Sequence, residues 1–387
     1  MRDSITLFKQ LLSLLPDDEF RKSLRLHETD KYIKSLSSYK LLTLLLYAQI
    51  TGKVSIRDIV TGLSVQEEKM RCLGMAVPSR SNISYALAHR GYEAFEELFY
   101  AVLDKRSSRS RSGKFRFKNP LYAMDSTLIN LCLSIFDWAV YRKKKGAIKI
   151  HQVIDVKSDI PVCLVMSEGK RHDITAARKI DKMLSSDSIL VMDRGYVDFK
   201  WLKSLDDRGV FFVTRAKDNM DYKVIGQHAN NDRSDVISDE IIELQGTGTW
   251  EKYPKRLRLV TVRDKETGKI LRFLTNNLRL AASTIGKIYK SRWRIETFFK
   301  WIKQHLKIQS FLGTSPNAVM MQIWAAMIYY LLLAWIQFQL RITWSLLELA
   351  RRIKEALFKN ISMLDLLSEK FTIPPKPRRY AEQLTFL

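Results

Sequence analysis

Three carboxylates in this chain stand where chemistry is commonly built. Asp125 lies in "YAMDST", where an apolar run gives way to polar residues, and Asp193 ends the apolar run of "SILVMDRG" just before a Gly turn. Glu296 is the single acid of the basic, aromatic stretch "YKSRWRIETFFKWIK", residues 289–303. At about 100° per residue, a helix carries Tyr289, Arg292, Glu296 and Lys303 on one stripe about 60° wide. Two carboxylates that share a crevice cannot both stay ionised cheaply without a cation. A hard divalent ion resolves the conflict, because it takes oxygen ligands and leaves room for water and phosphate. Arg292 and Lys303 lie about 6 Å and about 10 Å from Glu296 along the helix axis, where they would grip phosphate on either side. Two ions so held would activate a water or a 3′-hydroxyl and stabilise the departing oxygen of an in-line phosphoryl displacement. The expectation is three carboxylates converging on shared metal, on the order of 4 Å apart for a two-metal site. Each acid also has an ordinary alternative. Asp125 could cap a turn, Asp193 could cap a helix after Gly195, and Glu296 could pair with Arg292 four residues earlier.

The rest of the composition narrows the partner. With 387 residues, 46% of them hydrophobic, the chain is too apolar to be disordered and long enough for more than one core. A formal charge of +24 calls for a polyanion, nucleic acid first and an anionic membrane second. Cys72, Cys132 and Cys163 lie far apart with no C-x-x-C pair, so neither a disulfide framework nor a zinc knuckle is expected, and the reading is a reduced cytosol. The six His residues show no ligand spacing. The N-terminus does not fit a signal peptide. Val319 to Phe338 is apolar enough to span a bilayer, but Gln322 and Gln337 sit near its ends and its aromatics lie inside the run, so a buried core helix is expected and no membrane.

The elements that must position the acids follow from periodicity. Residues 1–104 read as helices, and "PSRSNISYALAHRGY" would open a recognition helix with Arg80 and Asn82 near its start, or be one ordinary helix of a bundle. Residues 105–120 are a basic Ser-rich linker that can lie on phosphates or be a solvated tether. From Leu121 the order becomes β-β-β-α-β-α-β, an α/β unit in which the later strands run parallel to a neighbour in a mixed sheet with flanking helices. If its first and fourth strands pair, Asp125 and Asp193 reach one crevice at the sheet edge. This unit is expected over 121–216 and 276–340, interrupted at 217–275 by a β-rich insertion holding Trp250, and followed at 341–387 by a helical basic region.

These residues resemble the IS-four-type transposases of bacterial insertion sequences. Tyr289, Arg292, Glu296 and Lys303 meet the Y-x2-R-x3-E-x6-K signature, joined by "MDST", "YRKKKGAIKIH" and "DRGY". The resemblance implies a ribonuclease-H-like fold whose Asp125, Asp193 and Glu296 bind Mg²⁺ or Mn²⁺, two ions in all. It implies Tyr289, Arg292, Lys303 and Lys149 on DNA, and an insertion that handles a DNA hairpin and an extruded base, with Trp250 as the candidate to stack that base. The implied partners are double-stranded DNA, as terminal inverted repeats and target, and a second copy of the chain in a homodimeric synaptic complex. The implied place is the bacterial cytoplasm, at the nucleoid. The N-terminal hundred residues resemble a domain of unknown function that accompanies these transposases, with Arg80 and Asn82 as its candidate DNA contacts. The expected reaction is metal-dependent cleavage at the element's ends, through a hairpin, followed by joining of the 3′-hydroxyl to target DNA. A DNA-binding regulator on the same fold, or a nuclease that never joins strands, are the alternatives.

Overall fold

The computed structural model describes residues 5–107, 117–142, 145–168, 173–228, 235–305 and 310–367. Most of the basic linker, Lys143, Lys144 and the tail from 368 lie outside the described residues.

The helical N-terminal region consists of α1 (Leu7–Leu12), α2 (Asp17–Leu26), α3 (Ser38–Thr51), α4 (Ile56–Ser64), α5 (Glu67–Cys72), α6 (Arg80–His89) and α7 (Glu93–Ser107). Hydroxyl caps begin four of them. Thr6, Ser37, Ser55 and Ser79 each accept a hydrogen bond from a backbone N–H of the first turn, satisfying a donor the helix leaves open.

Strands β1 (Leu121–Leu131), β2 (Val140–Arg142), β3 (Lys145–Asp155) and β4 (Ile160–Glu168) come next, then α8 (Asp173–Ile180), β5 (Ile189–Met192), α9 (Phe199–Asp207) and β6 (Phe211–Arg215). The four apolar residues of β5 are buried on both faces, as a central parallel strand requires. β1 runs parallel to β5 and β5 parallel to β6, while β3 lies antiparallel to β1 and to β4. The order β4-β3-β1-β5-β6 is that of a ribonuclease-H-like sheet.

The β-rich segment does not fold on itself. Its strands β7 (Tyr222–Gln227), β8 (Val236–Leu244), β9 (Leu257–Arg263) and β10 (Ile270–Thr275), with the short helix α10 (Thr247–Trp250), continue the same sheet in the order β6-β10-β9-β8-β7. β6 would otherwise end the sheet with unpaired backbone groups, and β10 covers them. Side chains reinforce the seam. Asn276 accepts from Phe212 N–H at 2.9 Å and donates to Asp206 at 2.7 Å, and Thr275 donates to the Phe212 carbonyl at 2.6 Å.

The chain then crosses back as α11 (Ala282–Ser291) and α12 (Trp293–His305), and ends in α13 (Pro316–Gln339), α14 (Leu346–Ala356) and α15 (Met363–Leu367). α13 is apolar on all sides because it is wrapped on all sides, with α3, α6, α7 and α14 packed around it. By length and composition it could cross a membrane, yet 83% of its apolar window is buried inside the protein. One hydrophobic cluster joins α1–α7, one face of the sheet and α11–α13, so the N-terminal helices share their core with the α/β unit.

The loop into α11 is held by a buried charge pair. Arg258 donates to both carboxylate oxygens of Asp239 at 2.7 Å and to the carbonyls of Asn277 at 3.2 Å and Leu280 at 2.6 Å. Both side chains are almost fully enclosed. Replacing Arg258 by Ala strips the buried Asp239 carboxylate of its two-bond partner and leaves it only His228 Nδ1 at 3.7 Å, at a cost of about 3–5 kcal/mol. Urea unfolding of Arg258→Ala, compared with a double variant Arg258→Met/Asp239→Leu, should show the large loss in the single variant and recovery of most of it in the double.

Candidate active site

Register decides which charged groups meet. β1 and β5 pair up to Met124 opposite Met192, so the next row holds Asp125 and Asp193 side by side at the carboxyl end of β5. β5 and β6 pair up to Val191 opposite Val213, and two residues further stand Asp193 and Arg215. Side chains alternate along a strand. Ala123, Val191 and Val213 belong to the cluster under α11 and α12, so Asp125, Asp193 and Arg215 lie on that same face. α11 crosses β9, β10, β6 and β5, and α12 lies over β1.

The stripe read from the sequence as one helix is two, meeting at Arg292. Arg292 N–H bonds the Tyr289 carbonyl and Ile295 N–H bonds the Arg292 carbonyl, both at 3.1 Å, a tighter three-residue step that interrupts the regular ladder. Ile288, Ile295, Phe299 and Ile302 are buried and anchor the two segments to the sheet.

The three carboxylates do not close on one another. Among the described residues no three acidic, His or Cys side chains form a metal-type cluster. Arg292 stands in that place: its guanidinium donates to Asp125 Oδ2 at 2.9 Å and to Glu296 Oε1 through its other terminal nitrogen. Partly desolvated carboxylates take the nearest cation within reach, and without metal or DNA that cation is Arg292. Its Cζ lies 5.7 Å from the centroid of the Tyr289 ring, which in turn packs on Phe273 with ring centroids 4.6 Å apart. Arg292 Nε is buried with no hydrogen-bond partner.

Asp193 takes the cap position of the short 3-10 turn Arg194–Tyr196, but its side chain makes no capping bond. Asp125 Oδ1 accepts from the Ser126 N–H at 2.8 Å. Burial pushes the Asp125 carboxyl up to about 6; the Ser126 N–H and Arg292 pull it down, and the charges of Asp193 and Glu296 push it up further.

The remaining sequence-derived residues fall in different places. Lys303 is two turns beyond Glu296 on the same stripe, partly buried, and burial holds its ammonium below the usual lysine range. Lys149 pairs with Leu128 of β1, three steps from the Gln152 that faces Asp125, and an odd step puts it on the opposite face of the sheet. Trp250, 51% exposed, lies beyond the end of β8 at Leu244, which is the sheet edge opposite Asp125 and Asp193. Lys149 and Trp250 therefore stand away from the row of Asp125 and Asp193. Arg80 is exposed at the start of α6, and Asn82 donates to Ser35 at 3.2 Å; that helix packs on α4 and α13. Arg215 was not among the residues read from sequence. Its signal was available, since it ends the apolar run "VFFVTR" as Asp193 ends its own.

Residues 116–332 match the family model described as a transposase DDE domain. This chain belongs to the DDE transposase family. Residues 3–76 match a domain of unknown function, DUF4372. The chain is 35% identical over 289 residues to a putative transposase, y4zB, of Sinorhizobium fredii, covering 73% of this chain and 78% of that one. It is 30% identical over 259 residues to the probable transposase for insertion sequence element IS5377 of Geobacillus stearothermophilus, covering 66% and 67%. It is 24% identical over 297 residues to the putative transposase for insertion sequence element IS4SA of Synechocystis, covering 75% and 81%. DDE transposases are enzymes that cleave DNA and transfer its strands, and the family generally uses divalent metal ions. The donor set here fits such an ion. Asp125, Asp193 and Glu296 offer hard oxygens, and one guanidinium already occupies the cation position between two of them.

The raised Asp125 pKa makes a stability prediction. A carboxyl that ionises near pH 6 folded and near 4 unfolded favours the fold while protonated, so its ionisation costs stability as pH rises through that window. In metal-free buffer Asp125→Asn should match wild type in melting temperature near pH 4. It should exceed wild type at neutral pH by the equivalent of roughly 1–3 kcal/mol, the burial cost of the charge.

Proposed function

We propose that this transposase cuts at the terminal inverted repeats of an insertion sequence and joins the resulting 3′-hydroxyl ends to target DNA. The observation that carries the reading is the row of Asp125, within β1, and Asp193, just past the end of β5, with Glu296 tied to Asp125 through Arg292.

In this reading Asp125, Asp193 and Glu296 would hold Mg²⁺ or Mn²⁺, two ions, and the chemistry so supplied would be activation of a water or 3′-hydroxyl and charge relief for the departing oxygen. Arg292 exchanges its carboxylate partners for a phosphate of the arriving strand, an acceptor its planar fork fits in two bonds. The Tyr289 ring, wedged between Phe273 and the guanidinium, limits where Arg292 can go. Lys303, which has no ion pair among the described residues, takes a second phosphate two turns along α12. The N-terminal helices bind the repeat, with Arg80 on the exposed side of α6. The hairpin route, the homodimeric synaptic complex and the place at the bacterial nucleoid rest on the likeness to the IS-four-type enzymes. A hairpin is seen as a slow-migrating species on a denaturing gel of excised ends.

Glu296→Gln should bind a duplex from the element's end with wild-type affinity and leave it uncut in Mg²⁺; full cleavage by this variant refutes the assignment. Lys303→Ala should weaken binding and reduce the slope of log K against log salt by about 0.9, the share of one phosphate contact. Pre-cut ends incubated with a target plasmid separate a transposase, which joins them, from a nuclease, which does not.

A further inference from the structure

We infer that Arg215 is a phosphate-binding residue of the cutting edge, gripping the DNA backbone from the β6 side; the inference rests on the DNA-cutting reading above. The stretch Arg215–Asp218, from the last residue of β6, carries three charges, and two of them are committed. Lys217 Nζ donates to the Val197 carbonyl at 2.9 Å, and Asp218 accepts from Arg194 at 3.1 Å, together fastening the end of β6 to the turn after Asp193. Arg215 is left over. Among the described residues it forms neither an ion pair nor a side-chain hydrogen bond, although Asp193 is its neighbour in the next strand.

Its position is fixed from three sides. Arg215 pairs with Phe273 of β10, the residue on which Tyr289 packs, and its charge is felt by the Tyr289 hydroxyl. It shares the sheet face of Asp125 and Asp193. Strands are spaced about 4.8 Å apart, which puts its backbone about 5 Å from that of Asp193 and about 10 Å from that of Asp125. A guanidinium on a three-carbon stem covers such a distance. Holding a partly buried cation with five N–H donors and no acceptor is unfavourable, and a phosphate supplies two acceptor oxygens and the opposite charge. Arg292 bonds Asp125 from the α11–α12 junction, and Arg215 stands on the other flank of Asp193, on β6. A phosphodiester seated on the row would meet one guanidinium on each flank.

The test uses full-length protein and a fluorescein-labelled duplex from the end of the DNA element that carries the gene. Anisotropy is measured across a salt series in EDTA, with cleavage in Mg²⁺ as a second arm. Arg215→Gln should keep the wild-type melting temperature, bind several-fold more weakly and lower the salt slope by about 0.9. Arg215→Lys should restore the slope while recovering only part of the affinity. An unchanged slope in Arg215→Gln overturns the inference, and an unchanged slope with a lowered melting temperature marks Arg215 as a counter-charge for Asp193 only. If the Gln variant does not fold, phenylglyoxal labelling of wild type decides, read by peptide mass spectrometry: the duplex should protect Arg215, and equal labelling with and without DNA overturns the contact. Wild-type protein that binds the duplex and leaves it whole in Mg²⁺ refutes the cutting reading instead, and the control arm shows it.

Discussion

The parallel pairing of β1 with β5 and of β5 with β6 is the constraint on which the rest depends. Parallel strands all point their carboxyl ends one way, so residues that follow each apolar run are delivered to a common edge. Because side chains alternate with a period of two, the register also selects the face. A slip of one residue in β5 would turn Asp193 toward the cluster formed by α8 and α9 and leave Asp125 without its neighbour. The apolar residues that forbid the slip, Ile189 to Met192, are buried on both sides. The core thus sets the chemistry's geometry through backbone hydrogen bonds, before any charged group contributes.

Charge does the next part. Three carboxylates crowd one margin of a sheet that is otherwise apolar, and the chain answers from within by lending Arg292. The arrangement is stable enough to order the α11–α12 junction and open enough to be exchanged, since the side chains of Asp125, Glu296 and Arg292 remain between 15% and 33% exposed. A fully buried trio would have been locked. The contrast is Arg258, whose side chain is 1% exposed and whose partners are all internal, and which works as a fixed pin.

Much of this was legible in the residues. The change of hydrophobic period at Leu121, the strand and helix order after it and the all-round apolar α13 each announce their element. The two aspartates could be placed together once their strands were assumed to pair. Other features depend on relations that a linear reading does not contain. Lys149 was placed on DNA through the resemblance that includes "YRKKKGAIKIH", and only the pairing of β1 with β3 reveals that it lies on the sheet face opposite Asp125. Trp250 looked eligible as the one tryptophan of its segment, and only the course of β8 and β9 shows that it rests at the far edge. The break at Arg292 and its bond to Asp125 come from tertiary packing across 167 residues of chain. Nor does a helical pattern reveal with which partner a helix shares its core, which is why the N-terminal helices could not be assigned to α13 beforehand.

The way β10 comes home to β6 has a consequence for comparing such chains. The chain between Ala216 and Ala281 is a detour that returns to where it left, its last strand paired on β6 and the loop after that strand held by Arg258. Counting the 103 residues from Asp193 to Glu296 therefore measures the length of the excursion and says nothing about the gap that the two acids must bridge. Chains with a short excursion and chains with a long one can own the same edge, and the quantity to align between them is strand row and helix crossing, not spacing along the chain.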